Sequence, residues 1–199
     1  MTKLKSIFEN NQIRNGITYE QFTSEFEAKV KEIKEQNLTD EISQYIVLNL
    51  QRTQRVHKTY KISEEMRKAV NSISESQTWM VITENWCGDS AQILPYIAAI
   101  ANENTNITFR IILRDTNLDI MSQYLTNGTE SIPKLVAFDK NQNEIFLWGP
   151  RPKPAAELIK NEKVQGKSKE EFYPKLHLWY AKNKGEAIEQ EIIPLLELK

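Results

Sequence analysis

The sequence predicts an α/β fold in which a central mixed sheet is flanked by helices, with extra helices at both ends. Short apolar and partly β-branched runs at 78–83 and 107–113 are typical of buried strands. A helical pattern from Asp89 to about Asn102 separates them, which indicates a right-handed parallel crossover. Two further runs, at 134–138 and 144–148, are joined by turn-forming residues and are predicted to form a hairpin.

The first 75 residues are predicted to be helical and show three helical patterns. Thr18 has the spacing of a capping box, Thr39 or Asp40 is suited to cap a second helix, and Ser63 a third. The apolar stripe of the second helix is predicted to consist of Ile42, Tyr45, Ile46 and Leu50. The segment 56–62 is compatible with a helix end or a short edge strand.

Helices are also predicted in the rest of the chain. A short helix over 118–125 is expected to stop at Asn127–Gly128, a good C-terminal signal. Residues 155–160 follow a proline-rich entry, and Ser168 begins another capping box. The last helix carries Pro194 near its end. We expect the terminal helices to pack on the sheet or on each other, because their apolar stripes need burial.

Composition limits the function classes. The 199 residues are 40% hydrophobic and 27% charged with a net charge of −1, so no overall bias toward nucleic acid or an anionic membrane is expected. No run approaches the ~18 apolar residues of a membrane-spanning helix, and no apolar leader is visible at the N-terminus. The single cysteine excludes an intramolecular disulfide. Together these features predict a cytoplasmic protein.

The segment Glu84–Ser90 (ENWCGDS) is the candidate site, where a predicted strand ends and a helix begins. A thiol at Cys87 would face the unpaired N–H groups at the start of the helix, which favour the thiolate. The acidic neighbours Glu84 and Asp89 favour the thiol instead, and sequence does not decide the balance. The alternative is a buried structural cysteine, the commonest state of a free cysteine.

These residues resemble the active site of the thioredoxin superfamily. Trp86–Ser90 (WCGDS) is similar to the thioredoxin WCGPC motif, with Ser90 where the second cysteine stands. Pro95 matches the proline within the following helix, Pro133 in Ser-Ile-Pro matches the cis-proline loop, and Gly149 matches a glycine that lines the substrate groove. The resemblance implies a thioredoxin-like domain at 63–160, between helical extensions at 1–62 and 161–199.

The resemblance also implies roles for individual residues. Cys87 is expected to attack a disulfide, and Ser90 cannot release the product as a second cysteine would. Val81 stands where thioredoxins often carry a buried acid, so that acid is absent too. The residues implied to contact substrate are Trp86, Gly88, Asp89, Ile132, Pro133, Gly149 and Arg151. For Trp86 the alternative is core packing, and for Pro133 an ordinary trans turn. Arg151 would promote the thiolate or bind a substrate carboxylate, unless it is a surface arginine.

Three functions stay open at this point. The leading one is monothiol exchange, in which Cys87 forms mixed disulfides with a protein or a low-molecular-weight thiol. The second is a peptide- or protein-binding module that uses the groove without redox turnover. The third is a thiol sensor, in which Cys87 is oxidised to sulfenic acid and capped by a small thiol. The sequence leaves substrate, reductant and oligomeric state undetermined.

Cofactor and metal binding are not predicted. The letters CGDS are also similar to the CGFS site of monothiol glutaredoxins, which bind an iron–sulfur cluster, but 134–143 lacks the glycine pair of those proteins. His57 and His177 lack metal-ligand spacing. A local basic run is expected to be a solvated helix face rather than a phosphate or nucleic-acid contact. It consists of Arg52, Arg55, Lys58 and Lys61.

Overall fold

The computed structural model describes residues 6–197. In chain order its elements are β1 (Phe8–Glu9), β2 (Gln12–Ile13), α1 (Tyr19–Glu35), α2 (Glu41–Thr59), α3 (Glu64–Asn71), β3 (Gln77–Thr83), α4 (Gly88–Asn102), β4 (Ile107–Leu113), α5 (Leu118–Met121), β5 (Lys134–Phe138), β6 (Glu144–Trp148), α6 (Lys153–Val164), α7 (Lys169–Asn183) and α8 (Glu186–Leu196). None of the helices within 6–197 is long and apolar enough to cross a membrane.

The central sheet has the strand order β4-β3-β5-β6 and is mixed, as the sequence predicts. Strand β3 pairs in parallel with β4 and antiparallel with β5, and β5 pairs antiparallel with β6. Helix α4 connects the two parallel strands and packs on β3 and β4. The predicted fold class, a thioredoxin-like sheet with flanking helices, is confirmed.

Successive side chains of a strand point to opposite faces of the sheet, so each strand contributes to two apolar clusters, one on each face. On β3, Trp79 and Val81 contribute to the larger cluster, and Met80 and Ile82 to the smaller one. The larger cluster also contains apolar side chains of α1–α4 and α6–α8, so both terminal helical regions pack as expected. The domain boundaries at 1–62, 63–160 and 161–199 stay a prediction.

The helix starts agree with their predicted caps. Thr18 forms the capping box of α1 and Ser168 that of α7, while Asp40 and Ser63 accept backbone hydrogen bonds at the starts of α2 and α3. The first part of the ambiguous segment 56–62 belongs to α2, which continues to Thr59, and the rest is an extended link.

The predicted stripe of α2 is correct at Ile46 and Leu50, which pack on the larger cluster, and wrong at Ile42 and Tyr45. Ile42 is 60% exposed and Tyr45 is exposed as well. The inward face instead carries Ser43, Ile46, Asn49, Thr53 and Val56. Helix α2 packs on α1 and also on the polar start of α4, where Asn49 and Thr53 bond backbone carbonyl groups and so occupy buried positions.

Two further expectations need correction. The chain before α1 was expected to be helical, but β1 and β2 form a two-stranded hairpin, and Ile7 and Ile13 beside and within it cover the smaller cluster. Helix α5 ends at Met121, before the expected stop. Asn127–Gly128 lies in a separate tight turn with positive φ at both residues, bridged by Thr126 and Thr129, so the same residues that end helices serve a turn here.

Candidate functional site

Cys87 lies between β3 and α4 and occupies the N-cap position of that helix. Its side chain is buried, with 8% of the residue exposed. The thiol donates a hydrogen bond to the carbonyl oxygen of Ile132 at 3.5 Å. The sulfur is therefore held against the loop that precedes β5.

The balance left open by the sequence is decided by burial. Burial raises the pKa of the Cys87 thiol, and the nearby Asp89 carboxylate raises it further. The Ser90 hydroxyl and the backbone N–H groups of Asp89 and Ser90 lower the pKa, but by less. Burial therefore favours the neutral thiol over the thiolate that the helix start would promote.

The loop before β5 meets the end of β6 behind the sulfur. The Ile132–Pro133 and Gly149–Pro150 peptide bonds are both cis. Gly149 has a φ of +108°, and a Cβ atom there would lie 2.5 Å from the carbonyl oxygen of Pro133. Only glycine fits this approach, so Gly149 lets the segment after β6 pack closely against the loop.

A cleft of about 600 Å³ opens in front of the sulfur. Six of the predicted site residues line it, namely Trp86, Cys87, Gly88, Asp89, Ile132 and Arg151. The other three do not line it: Ser90 and Pro133 are buried, and Gly149 packs against the carbonyl oxygen of Pro133. The remaining walls come largely from α2 and α7, which contribute Tyr45, Arg52, Tyr173 and His177.

The sequence model of the thioredoxin family matches residues 35–164, which is most of the chain and includes α2, the site and the whole sheet. The chain belongs to the thioredoxin family. No curated protein matches it.

Two solved structures share the thioredoxin-like fold of this chain. One is a protein of unknown function from Pseudomonas aeruginosa, with a TM-score of 0.59 and 14% sequence identity over 92% of each chain. The other is an HIV epitope-scaffold, with a TM-score of 0.55 and 16% identity over 91% of this chain and 98% of the scaffold. At these identities the likeness concerns the fold alone.

A largely buried ion pair occupies the start of α4 in this thioredoxin-family protein. Asp89 contacts the guanidinium of Arg151 at 2.5 Å and accepts a hydrogen bond from the Tyr180 hydroxyl at 2.8 Å. Arg151 is therefore half-buried and paired with Asp89, and its charge also interacts with Cys87. Tyr180 belongs to α7, so the pair also fixes that helix to α4.

Buried polar contacts also join α2 to the active-site segment. Asn49 donates to the carbonyl oxygen of Asn85 at 3.0 Å and accepts from Arg52 Nη1 at 2.8 Å. Arg55 donates to the amide oxygen of Gln92, whose amide nitrogen contacts His177 Nδ1 at 3.2 Å. These contacts connect α2, α4 and α7 around the cleft.

The four residues of the basic run lie in two different environments. Lys58 and Lys61 are solvated as predicted, whereas Arg52 and Arg55 are half-buried and point toward α4. The expectation of a single solvated face is wrong for these two arginines. The sequence analysis missed Arg52 and His177 as residues of the site. The signal available for them was the polar residues Asn49 and Thr53 at helical spacing with Ile46 and Val56.

Trp86 forms one side of the cleft and is only partly buried. Its indole N–H donates to Asp115 at 3.0 Å, and the guanidinium carbon of Arg114 lies 4.7 Å from the ring centre. Glu84 accepts from the backbone N–H of Asp115 at 2.8 Å, and burial raises the pKa of its carboxyl group. Glu84 therefore binds the turn after β4, away from the sulfur.

The side chains of residues 6–197 contain no group of three or more His, Cys, Asp or Glu residues arranged to hold a metal ion. His57 contacts Tyr19 on α1, and His177 lines the cleft, so the two histidines lie in different parts of the protein.

Proposed function

We propose that this thioredoxin-family protein uses Cys87 for monothiol exchange, forming a mixed disulfide with a small disulfide held in the cleft. The observation that carries this proposal is the position of the sulfur, which opens on a cleft of about 600 Å³ beside the cis-proline loop. That volume lies in the range of small-molecule sites. Helices α2 and α7 flank the sulfur, which favours a small ligand over an extended protein segment.

The exchange is redox-balanced without any cofactor. The Cys87 thiol loses its proton and the thiolate attacks one sulfur of the bound disulfide. A bond between Cys87 and that sulfur forms, the original disulfide bond breaks, and the departing thiolate takes up a proton. Since Ser90 offers no second thiol, the adduct persists until an external thiol attacks it.

The raised thiol pKa shapes this chemistry. Near neutral pH only a small fraction of Cys87 is thiolate, so exchange with an unbound reagent is slow. A thiolate of high pKa is intrinsically a stronger nucleophile, and a ligand held in the cleft is positioned for attack. We therefore expect the rate to rise with pH through the neutral range. A reducing cytoplasmic setting suits this proposal, because it supplies the external thiol.

The proposal is tested by incubating the protein with hydroxyethyl disulfide and measuring intact mass over time. We expect one adduct per chain on the wild type and none on Cys87→Ser. Ser90→Cys supplies the missing resolving thiol, so the adduct should convert to an intramolecular disulfide and release the bound small thiol. Absence of any adduct on the wild type at mildly alkaline pH would refute exchange.

Ligand binding without exchange is the second candidate function. It is favoured by the low exposure of Cys87 and by the hydrogen bond from its thiol to Ile132, both of which hold the neutral thiol. This function predicts that Cys87→Ser keeps full affinity for the ligand.

A further inference from the structure

The cleft contains one guanidinium whose charge no carboxylate balances directly. Within residues 6–197 Arg52 forms no ion pair, and its hydrogen bond to a side chain is with the neutral Asn49. Asp89, the carboxylate that raises the pKa of Arg52, is already bound by Arg151 and Tyr180.

Arg52 is also held in position rather than free to move into solvent. Its Nη1 atom is fixed by Asn49, which is fully buried and itself bound to Asn85 in the active-site segment. Nη1 would lie 3.5 Å from a Cβ atom built on Gly88, the residue that follows Cys87. The guanidinium is therefore adjacent to the reactive segment, with further N–H donors unused by side chains of the protein.

Partial burial disfavours the charged form of Arg52 and so lowers its pKa. Burial and the neighbouring charge of Arg55 lower the pKa of Arg52 to about 10, so it stays protonated near neutral pH. His177, which lies beside it, is neutral because burial and three nearby arginines lower its pKa to about 3. A half-buried cation without an anion is the setting in which a ligand anion is bound well.

The opposing charges of the cleft are exposed. Glu41, Glu130 and Glu170 line the rim, where solvent and salt screen them, and the exposed Lys169 offsets part of their charge. Arg114 is already paired with Asp115. The inner part of the cleft, beside Cys87, is thus more positive than the rim.

We infer that Arg52 binds a carboxylate of the ligand, so that the preferred substrate class is a small disulfide bearing a carboxylate close to its sulfur atoms. This inference rests on the proposed exchange at Cys87 and specifies its substrate. Helix α2 supplies the recognition group, and the start of α4 supplies the thiol.

The test compares three disulfides of similar length and different charge: dithiodipropionate (anionic), hydroxyethyl disulfide (neutral) and cystamine (cationic). The rate of adduct formation at Cys87 is followed by intact mass. On the wild type we expect the anionic reagent to react about tenfold faster than the neutral one, and cystamine to react slowest. The preference should shrink at high salt.

Two variants assign the preference to its residue. Arg52→Gln should abolish it, and Lys58→Gln, which removes one positive charge from the exposed side of the same helix, should keep it. Equal rates for the three reagents on the wild type, or an unchanged preference in Arg52→Gln, would overturn the inference while leaving exchange at Cys87 intact. The wild-type comparison requires no variant, so it does not depend on the folding of Arg52→Gln.

A ligand that cannot react with the thiol distinguishes failure of the proposed exchange from failure of the carboxylate site. Octanedioate replaces the disulfide of dithiodipropionate by two methylene groups and keeps both carboxylates. If no disulfide forms an adduct, binding of octanedioate to Cys87→Ser, weakened about tenfold by adding Arg52→Gln, would still support the carboxylate site. Binding that Arg52→Gln leaves unchanged, or no binding, would overturn it.

Discussion

The two ends of α4 lie in contrasting surroundings. Toward its C-terminal end the helix is apolar, with Ile97, Ile100 and Ala101 buried in the core between the sheet and the outer helices. The first turn is also buried, yet it carries Asp89 and Gln92, whose partners are polar groups from α2, α7 and the segment after β6.

The contrast shows how one helix serves both fold and function. Apolar burial is non-directional and tolerates many partners, whereas each buried polar group needs a partner of matching geometry. The first turn of α4 is therefore more specific in its neighbours, and the same neighbours form the cleft at Cys87. The following variants test this division, beginning with the largest expected effect.

Ile97→Ala tests the apolar end. Removing a fully buried side chain leaves a cavity, so we expect the free energy of unfolding to fall by about 4 kcal/mol, within the usual range for such changes. Urea denaturation measures it. The matched control is Ile42→Ala on α2, which is 60% exposed and should change stability by less than about 0.5 kcal/mol. Similar losses for both variants would contradict the observed register of α2.

Asp89→Asn tests the polar end. The change leaves the Arg151 guanidinium without its anion, so we expect a loss of about 2–3 kcal/mol in the free energy of unfolding. It should also lower the pKa of Cys87, because the Asp89 charge raises that pKa. The rate of alkylation against pH measures the second effect.

The control for Asp89→Asn is Glu75→Gln, which removes an exposed ion pair with Lys140 and should cost less than about 1 kcal/mol. An alkylation profile of Asp89→Asn identical to that of the wild type would show that the carboxylate does not act on the thiol.

His177, which contacts the polar end of α4 through Gln92, is expected to make the stability of the fold depend on pH. The unfolded chain binds a proton on this residue below about pH 6.5, whereas in the folded protein its pKa is lowered to about 3. The unfolded state thus binds more protons across this window, and stability falls as the pH falls through it. When the pH is lowered from 7 to about 5, we expect the free energy of unfolding of His177→Gln to fall by about 1–2 kcal/mol less than that of the wild type. Parallel curves for the two proteins would contradict a neutral, buried His177.

Gly88→Ala is expected to have the smallest effect. The new Cβ would lie 3.1 Å from Cε1 of His177, the far end of a side chain that can shift by a few tenths of an ångström. A gain of about 1 kcal/mol in helix propensity opposes this crowding, so the net change in thermal stability should be below about 1 kcal/mol. A much larger loss would show that His177 cannot move.

The sequence was sufficient for the elements whose signal is local. The strands around Val81 and Ile111, the Thr18 capping box and the apolar stripe of α4 follow from periodicity and capping chemistry, and the structure agrees with them. The β1–β2 hairpin has only two residues in each strand, too few for an alternating pattern to emerge.

By itself, the sequence determined the fold class, the position of Cys87 before a helix and the absence of a second thiol at Ser90. Only the tertiary structure decided the protonation of that thiol, the pairing of Arg151 with Asp89 and the exposure of Arg52 to the cleft. Periodicity reports which face of a segment is apolar, over a few turns. Burial, ion pairing and pKa depend on groups brought together from distant parts of the chain, because electrostatic energies are set by distance and by exclusion of water.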